Sequence, residues 1–248
     1  MNGLTNRQYK EIKALIEKSG ARKKSGLFTA EGERLFEEIP KDLLETVVVS
    51  ESYEKTHSQI SAYVLKDGDY SRLCDTQHPQ GIMAVVKKPE YSEEDLLDEA
   101  KGTGEGIYLI LEGISDPGNL GTIIRTAEAA GVKAVFIGDK SADIFSPKTV
   151  RSTMGSIFRV PFVYSPDLIR TADRLKECGV SVYGAHLKGE LLSKAALQPK
   201  RCFCIGNEAN GLTKELSEAA DKKLKIPMKG KVESLNAAVA AAVLMFAG

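Results

Sequence analysis

Residues 224–248, LKIPMKGKVESLNAAVAAAVLMFAG, decide how the rest of the chain is interpreted. They predict a short strand over residues 224–228, then a loop, then an almost wholly apolar helix over residues 237–247. Ser234 is predicted to be the N-cap of this helix, because its hydroxyl can accept a hydrogen bond from a free backbone N–H. A helix that is apolar on every side must be buried in a core or an interface. The loop is therefore held at both ends, and we expect its backbone groups to face a ligand.

Length and composition limit the number of domains and the classes of protein to which the chain can belong. At 248 residues, the chain can bury the cores of one or two domains. No apolar run follows the first residues, which predicts no signal peptide. The longest apolar run, residues 237–247, is shorter than the ~20 residues that a membrane span needs. The four cysteines are irregularly spaced, which predicts no disulfide framework and fits a reducing cytoplasm.

The net charge is zero, but the charge is unevenly distributed along the chain. Residues 1–100 have 14 lysines and arginines against 19 acidic residues, whereas residues 101–248 have 20 against 15. A basic half indicates an anionic partner, although a solvated basic face explains the same pattern equally well. The basic clusters are Arg22-Lys23-Lys24 and the group Lys222, Lys223, Lys225, Lys229 and Lys231.

Residues 1–95 predict a small α/β domain with no catalytic constellation. Thr5 and Gln8 resemble a capping box at the start of a helix that Gly20 is predicted to end. The acidic stretch that follows closes with Gly-Thr-Gly, so residues 96–105 are predicted to be a linker. The predicted strands of this domain are residues 27–30, 46–50, 63–65 and 81–86.

Residues 106–248 alternate more clearly between strands and helices. Residues 107–111 form a continuous apolar run, as buried parallel strands do. A helix over residues 122–130 follows. The repeated β-α order predicts a largely parallel sheet with helices on both faces, and ligands of such sheets lie beyond the carboxyl ends of the strands. The loops at that edge that are rich in small and polar residues are 113–121, 206–213 and 228–236.

The first two of these loops have candidate functional side chains in them or just after them. Asn119 lies in the first loop, and Arg125 follows about one turn into the next helix, whose N-terminus attracts phosphate. Arg125 could equally be a surface arginine paired with Glu128, three positions further on. In the second loop, Glu208 lies close to Gly206, and a carboxylate in such a turn is often only a cap.

A metal site is not predicted. Cys202 and Cys204 alternate with Phe203, so they share one face of an apolar strand, which favours core packing. No His/Cys set at zinc spacing accompanies them. His57 and His78 are isolated and are predicted to be surface residues.

Taken together, the three loops resemble the signature motifs of the SpoU-type (TrmH-like) RNA ribose 2′-O-methyltransferases of the SPOUT superfamily. The resemblance covers roughly residues 106–248, and residues 28–34, FTAEGER, resemble the substrate-binding domain of that family. Ala237-Ala238 departs from the Ser or Val that many relatives have after the last Asn. The matching segments are residues 116–121 with 125–127, 205–208 with Gly211, and 226–228 with Gly230 and 234–236.

This resemblance implies an α/β fold in which a mostly parallel sheet with helices on both faces contains a deep trefoil knot, preceded by a small RNA-binding α/β domain. It further implies a homodimer formed through the C-terminal domain and an RNA substrate, ribosomal RNA first and tRNA second. The implied methyl donor is S-adenosylmethionine, without a metal. The residues implied to hold it, mainly by their backbone, are Gly206, Ile226, Met228, Leu235 and Leu187.

The same resemblance assigns the central catalytic role to Arg125. A ribose hydroxyl is a weak nucleophile, and correct placement can contribute about 7–11 kcal/mol, whereas a general base adds only ~10²–10⁴-fold. A free arginine side chain has a pKa above roughly 12, so we expect Arg125 to clamp a phosphate and orient the 2′-hydroxyl. The residues expected to set the geometry around it are Asn119, Glu208, Ser234 and Asn236.

Two other functions stay open at this point. A dinucleotide-dependent oxidoreductase would also use a strand, a glycine-rich turn and a helix, with Asp139 placed to bind a ribose. However, Gly118-x-x-Gly121 is not the G-x-G-x-x-G fingerprint. The other alternative is a non-catalytic RNA-binding or ribosome-assembly protein on the same fold, and the intact set of catalytic residues argues against it.

Overall fold

The structure is a computed structural model that describes residues 3–247. Within that range the chain forms eleven α-helices and ten strands. The helices are α1 (Asn6–Glu17), α2 (Ser19–Ser25), α3 (Glu33–Glu37), α4 (Glu51–Thr56), α5 (Asp67–Leu73), α6 (Glu93–Ala100), α7 (Pro117–Ala129), α8 (Pro147–Thr153), α9 (Leu168–Glu177), α10 (Lys214–Ala219) and α11 (Ala237–Met245). The strands are β1 (Leu27–Glu31), β2 (Leu44–Ser50), β3 (Tyr63–Leu65), β4 (Ile82–Lys87), β5 (Gly106–Leu111), β6 (Ala134–Gly138), β7 (Phe162–Ser165), β8 (Ser181–Leu191), β9 (Lys200–Ile205) and β10 (Lys222–Lys225).

The chain divides into two compact units, which we call the first and second unit. The first unit contains the residues up to Glu90 together with a returning segment, residues 143–158. The second unit contains residues 91–142 and the chain from Arg159 onwards. The compact units therefore divide the chain differently from the predicted sequence domains, 1–95 and 106–248, because one segment of the C-terminal half packs with the N-terminal half.

The predicted linker, residues 96–105, overlaps a packed helix. In α6, Leu96 and Leu97 are 3% and 1% exposed and belong to the core of the second unit. Ser92 caps the helix by accepting a hydrogen bond from the backbone N of Asp95 at 3.0 Å. The acidic face of α6 faces solvent while its leucines pack inwards, as expected of an amphipathic surface helix.

The first unit is built on a four-stranded sheet in the order β1-β4-β2-β3. The pairs β1–β4 and β4–β2 are antiparallel, and β2–β3 is parallel. Helix α1 packs Ile12, Leu15 and Ile16 into one core of this unit. The returning segment packs the ring of Phe145 against Phe28, with ring centroids 5.1 Å apart.

Helix α1 begins as predicted but ends earlier. The capping box of Thr5 and Gln8 is confirmed. The prediction that Gly20 ends the helix was wrong, because Lys18 already adopts an extended conformation, with φ −123° and ψ 116°. Gly20 lies inside α2 instead.

The second unit confirms the predicted α/β class. Its six-stranded sheet has the order β10-β8-β9-β5-β6-β7, and every neighbouring pair is parallel. The central strand β5 is buried on both faces, which explains its continuous apolar sequence. Cys202 and Cys204 are fully buried in the same core cluster as Ile110 and Phe136, as predicted from their alternation with Phe203. The trefoil knot stays a prediction.

Two element boundaries near the predicted loops differ from expectation. Helix α7 begins at Pro117, so Asn119 lies in its first turn rather than in the preceding loop. Asp116 is the N-cap and Pro117 occupies the first turn, where its missing N–H costs nothing. The last strand ends at Lys225, before Pro227, which cannot donate a ladder hydrogen bond.

Strand β8 carries a bulge opposite β10. Lys223 pairs with Gly184, but the next residue, Leu224, pairs with Glu190, so residues 185–189 are left out of the ladder. Only glycine fits at position 189 in the bulge, because a Cβ atom there would lie 2.4 Å from the backbone oxygen of Lys223.

In the part of the chain that the structure describes, no helix combines the length and the apolar character that a membrane span requires.

Candidate active site

A cavity of about 440 Å³ lies in the second unit, lined by the loops that follow β9 and β10 and by the β8 bulge. Its volume falls within the roughly 300–1,000 Å³ that is usual for small-molecule sites. All the residues that the sequence predicts to hold a cofactor line it: Gly206, Ile226, Met228, Leu235 and Leu187.

The loop after β9 is folded tightly on itself. Asn207 and Gly211 exchange two backbone hydrogen bonds, with N–O distances of 3.1 and 2.8 Å. A Cβ atom on Gly206 would lie 2.1 Å from the carbonyl carbon of Gly211 and 2.2 Å from the backbone N of Leu212. Only glycine fits at position 206 in this geometry, and it leaves main-chain atoms as that part of the cavity wall.

This loop is also tied to the residues that follow β5. Asn207 Nδ2 donates to the backbone oxygen of Gly113 at 2.8 Å. The backbone N and the hydroxyl of Thr213 each donate to the Glu112 carboxylate at 2.7 Å. Neither Glu112 nor Thr213 could be predicted from the sequence, because no local pattern connects two residues so far apart in the chain.

The loop after β10 ends where Asn236 begins the last helix. Asn236 Oδ1 accepts hydrogen bonds from the backbone N of Ala238 at 2.9 Å and of Val239 at 3.4 Å. Asn236 is therefore the N-cap of α11, and the prediction of Ser234 was wrong. Asparagine caps as well as serine does, and Asn236 directly precedes the first helical residue. Ser234 is exposed and lines the cavity instead.

Three side chains, one from each of three separate segments of the polypeptide, form a continuous hydrogen-bonded chain. Asn236 Nδ2 donates to Asn119 Oδ1 at 2.9 Å, and Asn119 Nδ2 donates to Glu208 Oε1 at 2.8 Å. Residues 117 and 89 positions apart in the sequence are thus brought into direct contact. Three of the side chains predicted to be catalytic therefore lie together at the edge of the cavity, which Glu208 lines.

The charge of Glu208 fixes which side chain donates and which accepts in each of these hydrogen bonds. Burial acts to raise the pKa of Glu208, but hydrogen bonds from Asn119, from its own backbone N–H and from Ser115 together outweigh it, and the pKa is lowered. An ionised carboxylate only accepts hydrogen bonds. Asn119 must therefore turn its NH₂ towards Glu208, which leaves its oxygen to accept from Asn236.

Arg125 is not part of this hydrogen-bonded chain. It is exposed on α7, and within residues 3–247 its guanidinium has no hydrogen-bond or ion-pair partner. It lies six positions after Asn119, which is about 240° around a helix. The alternative pairing with Glu128 is not observed, because the Glu128 carboxylate is bound by Arg159, with Nη2 and Oε2 3.1 Å apart. All five donors of Arg125 are thus available to a ligand.

Among the described residues, no group of three or more His, Cys, Asp or Glu side chains is arranged to hold a metal ion.

Known proteins match both halves of the chain. Residues 106–246 match the SpoU rRNA methylase family, and residues 6–84 match the MRM3-like substrate-binding domain. A relative from Bacillus subtilis (strain 168), named 23S rRNA (guanosine(2553)-2'-O)-methyltransferase RlmP, is 38% identical over 97% of this chain and 95% of its own length.

Two solved structures extend this likeness to the fold. An AdoMet-bound rRNA methyltransferase from Sinorhizobium meliloti superposes with a TM-score of 0.81 at 32% identity, covering 99% of this chain and 95% of that one. An RNA 2'-O ribose methyltransferase gives a TM-score of 0.80 at 26% identity, covering 99% of this chain and 97% of that one.

Fold, cavity and matches define the class of the protein, an RNA methyltransferase whose methyl donor is S-adenosylmethionine. Within that class, the chain belongs to the SpoU rRNA methylase family. The oxidoreductase and the non-catalytic alternatives are set aside by these matches.

Proposed function

We propose that the protein transfers the methyl group of S-adenosylmethionine to a ribose 2′-hydroxyl of ribosomal RNA. The observation that carries this proposal is the hydrogen-bonded chain of Asn236, Asn119 and Glu208 beside the cavity. The name of the Bacillus subtilis relative supports ribosomal RNA as the substrate. Action on ribosomal RNA would place the enzyme in the cytoplasm, as the sequence predicts.

The residues of the cavity fit the methyl donor. Ile226, Met228 and Leu235 provide apolar surface for a base and a sugar, and Gly206 leaves main-chain atoms free for polar contacts. Apolar walls with a few fixed polar groups are typical of sites for small molecules. When bound, S-adenosylmethionine supplies an electrophilic methyl group on a sulfonium.

The polar residues act by placing the acceptor hydroxyl. Glu208 has a lowered pKa, so it is ionised near neutral pH and is a weak base. Its charge holds Asn119, and Asn119 in turn holds Asn236. Fixed placement can contribute about 7–11 kcal/mol to such a transfer, which exceeds the ~10²–10⁴-fold contribution of a general base. We infer that this chain orients the ribose and that proton removal contributes less.

Arg125 fits the role of a phosphate clamp. Its planar guanidinium can bind a phosphate through two parallel N–H donors, and it has no competing partner in the described part of the chain. Phosphate contacts supply most of the sequence-independent affinity for nucleic acid. Lys229 and Lys231 are exposed in the loop after β10 and would add to this attraction.

The test is methyl transfer itself. Purified protein is incubated with labelled S-adenosylmethionine and, separately, with ribosomal RNA and tRNA, and the RNA is then digested to nucleosides. We expect a labelled 2′-O-methyl nucleoside from ribosomal RNA. Label on a base would overturn the proposed chemistry, label only in tRNA would overturn the proposed substrate, and no label from either RNA would overturn the function.

We further propose a homodimer formed through α11. Val239, Val243 and Phe246 are 49%, 38% and 62% exposed and recur at the spacing of one helix face, while the opposite face packs on α7 and β9. An exposed apolar stripe of this kind marks an interface. Val243→Glu should convert a dimer to a monomer in sedimentation, whereas Ile169→Glu on α9 should not. A wild-type monomer would contradict the proposal.

A further inference from the structure

The Glu208 carboxylate is bound through both of its oxygens by residues near the start of α7. Oε1 accepts from Asn119 Nδ2 at 2.8 Å, and Oε2 accepts from the hydroxyl of Ser115 at 3.2 Å. Ser115 is separated from Glu208 by 93 positions in the sequence. A carboxylate gripped at both oxygens cannot rotate without losing one of the two hydrogen bonds.

The backbone on both sides of Ser115 is anchored. Ile114 is fully buried, its N–H donates to the Ser141 hydroxyl at 3.2 Å, and its oxygen accepts from the backbone N of Ala142 at 2.8 Å. On the other side, Asp116 caps α7 by accepting from the backbone N of Asn119 at 2.8 Å. Ser115 is exposed between these two fixed points, so its hydroxyl is held in place by the surrounding backbone rather than by side-chain packing.

We propose that Ser115 is a positioning residue of the methyl-transfer site, acting through Glu208. By holding Oε2, it turns Oε1 towards Asn119, which fixes the amide of Asn119 and, through it, the amide of Asn236. Asn236 Oδ1 then caps α11. The ionised Glu208 carboxylate sets the direction of these hydrogen bonds, and Ser115 sets the orientation of that carboxylate. This inference rests on the proposed function.

The electrostatics agree with this geometry. Burial acts to raise the pKa of Glu208, and the side-chain and backbone hydrogen bonds from Ser115 are among the contacts that lower it. Loss of the Ser115 hydroxyl removes one of these contacts, so the pKa of Glu208 should rise. If the ionised carboxylate is required, activity falls as the pH drops through that pKa, and the acid limb of the pH profile should move to higher pH.

The experiment compares Ser115→Ala with Ser115→Thr and Ser115→Cys, measuring kcat, the KM for RNA and the Kd for S-adenosylmethionine. We expect Ser115→Ala to lower kcat about tenfold, as loss of a hydrogen bond to a charged group does, and to change Kd less than about twofold. Ser115→Thr retains the hydroxyl and should restore most of kcat. Ser152→Ala is the matched control, because the Ser152 hydroxyl donates to the backbone oxygen of Lys148 within its own helix, at 2.9 Å.

The outcomes separate this inference from the proposed function. Ser115→Ala with wild-type kcat and an unmoved acid limb would overturn the inference while leaving the function intact. Equal losses in kcat and in affinity for S-adenosylmethionine would also overturn it, because they indicate a collapsed site. If Ser115→Ala does not fold, Ser115→Cys, a weaker donor of similar size, decides the same question. A wild-type protein that labels no RNA would instead overturn the function itself.

Discussion

Two arginines, one in each unit, occupy opposite environments. Arg22 in the first unit is 4% exposed, and its Nε and Nη2 donate to one oxygen of Asp143 at 2.9 and 2.8 Å. Its Nη1 donates to the backbone oxygens of Leu15 and Ile16 at 2.6 and 3.1 Å. Arg125 in the second unit is exposed, and its guanidinium has no partner within residues 3–247.

The difference shows that the structure distinguishes a charge that holds the fold together from a charge whose donors are left free. Arg22 uses its donors to join α1, α2 and the returning segment, so none of its charge is offered to a ligand. It belongs to a sequence cluster that looked uniformly basic, yet its neighbours Lys23 and Lys24 are exposed. Arg125 is held on a helix whose first turn is already satisfied by the Asp116 cap. A count of charges along the sequence cannot distinguish these two arginines. The number of N–H donors that each leaves without a partner in the described residues distinguishes them.

Arg125→Ala gives the largest expected effect. If the free guanidinium clamps an RNA phosphate, methyl transfer should fall by at least about 10²–10³-fold, as it does when a charge-stabilising donor is removed. The Kd for S-adenosylmethionine and the free energy of unfolding should hardly change, because no described residue depends on Arg125. Single-turnover methyl transfer, calorimetric titration and urea unfolding measure the three quantities. A comparable loss of cofactor affinity would contradict this division of labour.

Arg22→Ala should show the reverse pattern. Removing one partner of a buried ion pair leaves Asp143 Oδ2 and two carbonyl oxygens without the donor that Arg22 supplies, which typically costs about 3–5 kcal/mol. Urea unfolding should show a loss of that order for Arg22→Ala and a change below about 0.5 kcal/mol for Arg125→Ala. Similar stabilities for the two variants would mean that the contrast in burial has no energetic consequence.

The fold was predictable where local sequence decides the structure. The apolar run at residues 107–111 predicts β5 because a strand buried on both faces has no polar positions. The start of α7 was misplaced although Asp116 and Pro117 are good helix-start signals, because two following glycines favoured a loop. The packing of residues 143–158 into the first unit depends on contacts such as Arg151 with Asp75, at 2.8 and 3.2 Å, which leave no periodic signal.

The site was predictable in part for the same reason. The carboxyl ends of parallel strands meet at one edge, so loops containing Asn119, Glu208 and Asn236 were expected to converge. Which atoms would meet was not predictable, because hydrogen-bond partners nearly a hundred positions apart depend on the final backbone path. Ser115 illustrates this, since nothing in its neighbourhood distinguishes it from a loop serine.

Gly206→Ala tests a part of the second unit where backbone atoms, rather than a side chain such as Arg125, are expected to face a ligand. The new Cβ would collide with the backbone of Gly211 and Leu212, and such overpacking costs about 1–3 kcal/mol. If the strain opens the loop, the Kd for S-adenosylmethionine should rise roughly tenfold or more. Gly104→Ala, where a Cβ would meet nothing within 4 Å, is the matched control. A wild-type Kd for S-adenosylmethionine in the Gly206→Ala variant would show that this loop does not shape the cofactor site.

The smallest expected effect concerns two carboxylates with opposite pKa shifts, one in each unit. Glu31 in the first unit is 9% exposed, and burial raises its pKa above the ordinary 4.5 despite a 2.5 Å hydrogen bond from Thr76 and the Arg151 charge. A raised pKa means that the folded protein binds this proton more tightly than the unfolded chain does. Its contribution to stability is therefore complete below pH 4.5 and is lost as the pH rises through the folded pKa.

Glu208 should behave in the opposite way, because its lowered pKa contributes stability that is present at high pH and lost as the pH falls. Urea unfolding of wild type, Glu31→Gln and Glu208→Gln, at roughly half-unit steps between about pH 3 and 8, tests both signs, because the contribution of Glu208 changes only below its ordinary pKa of 4.5. With rising pH, Glu31→Gln should gain stability relative to wild type, and Glu208→Gln should lose it. Parallel curves for the two variants would mean that burial in the first unit and neutral donors in the second do not set the charge of these groups.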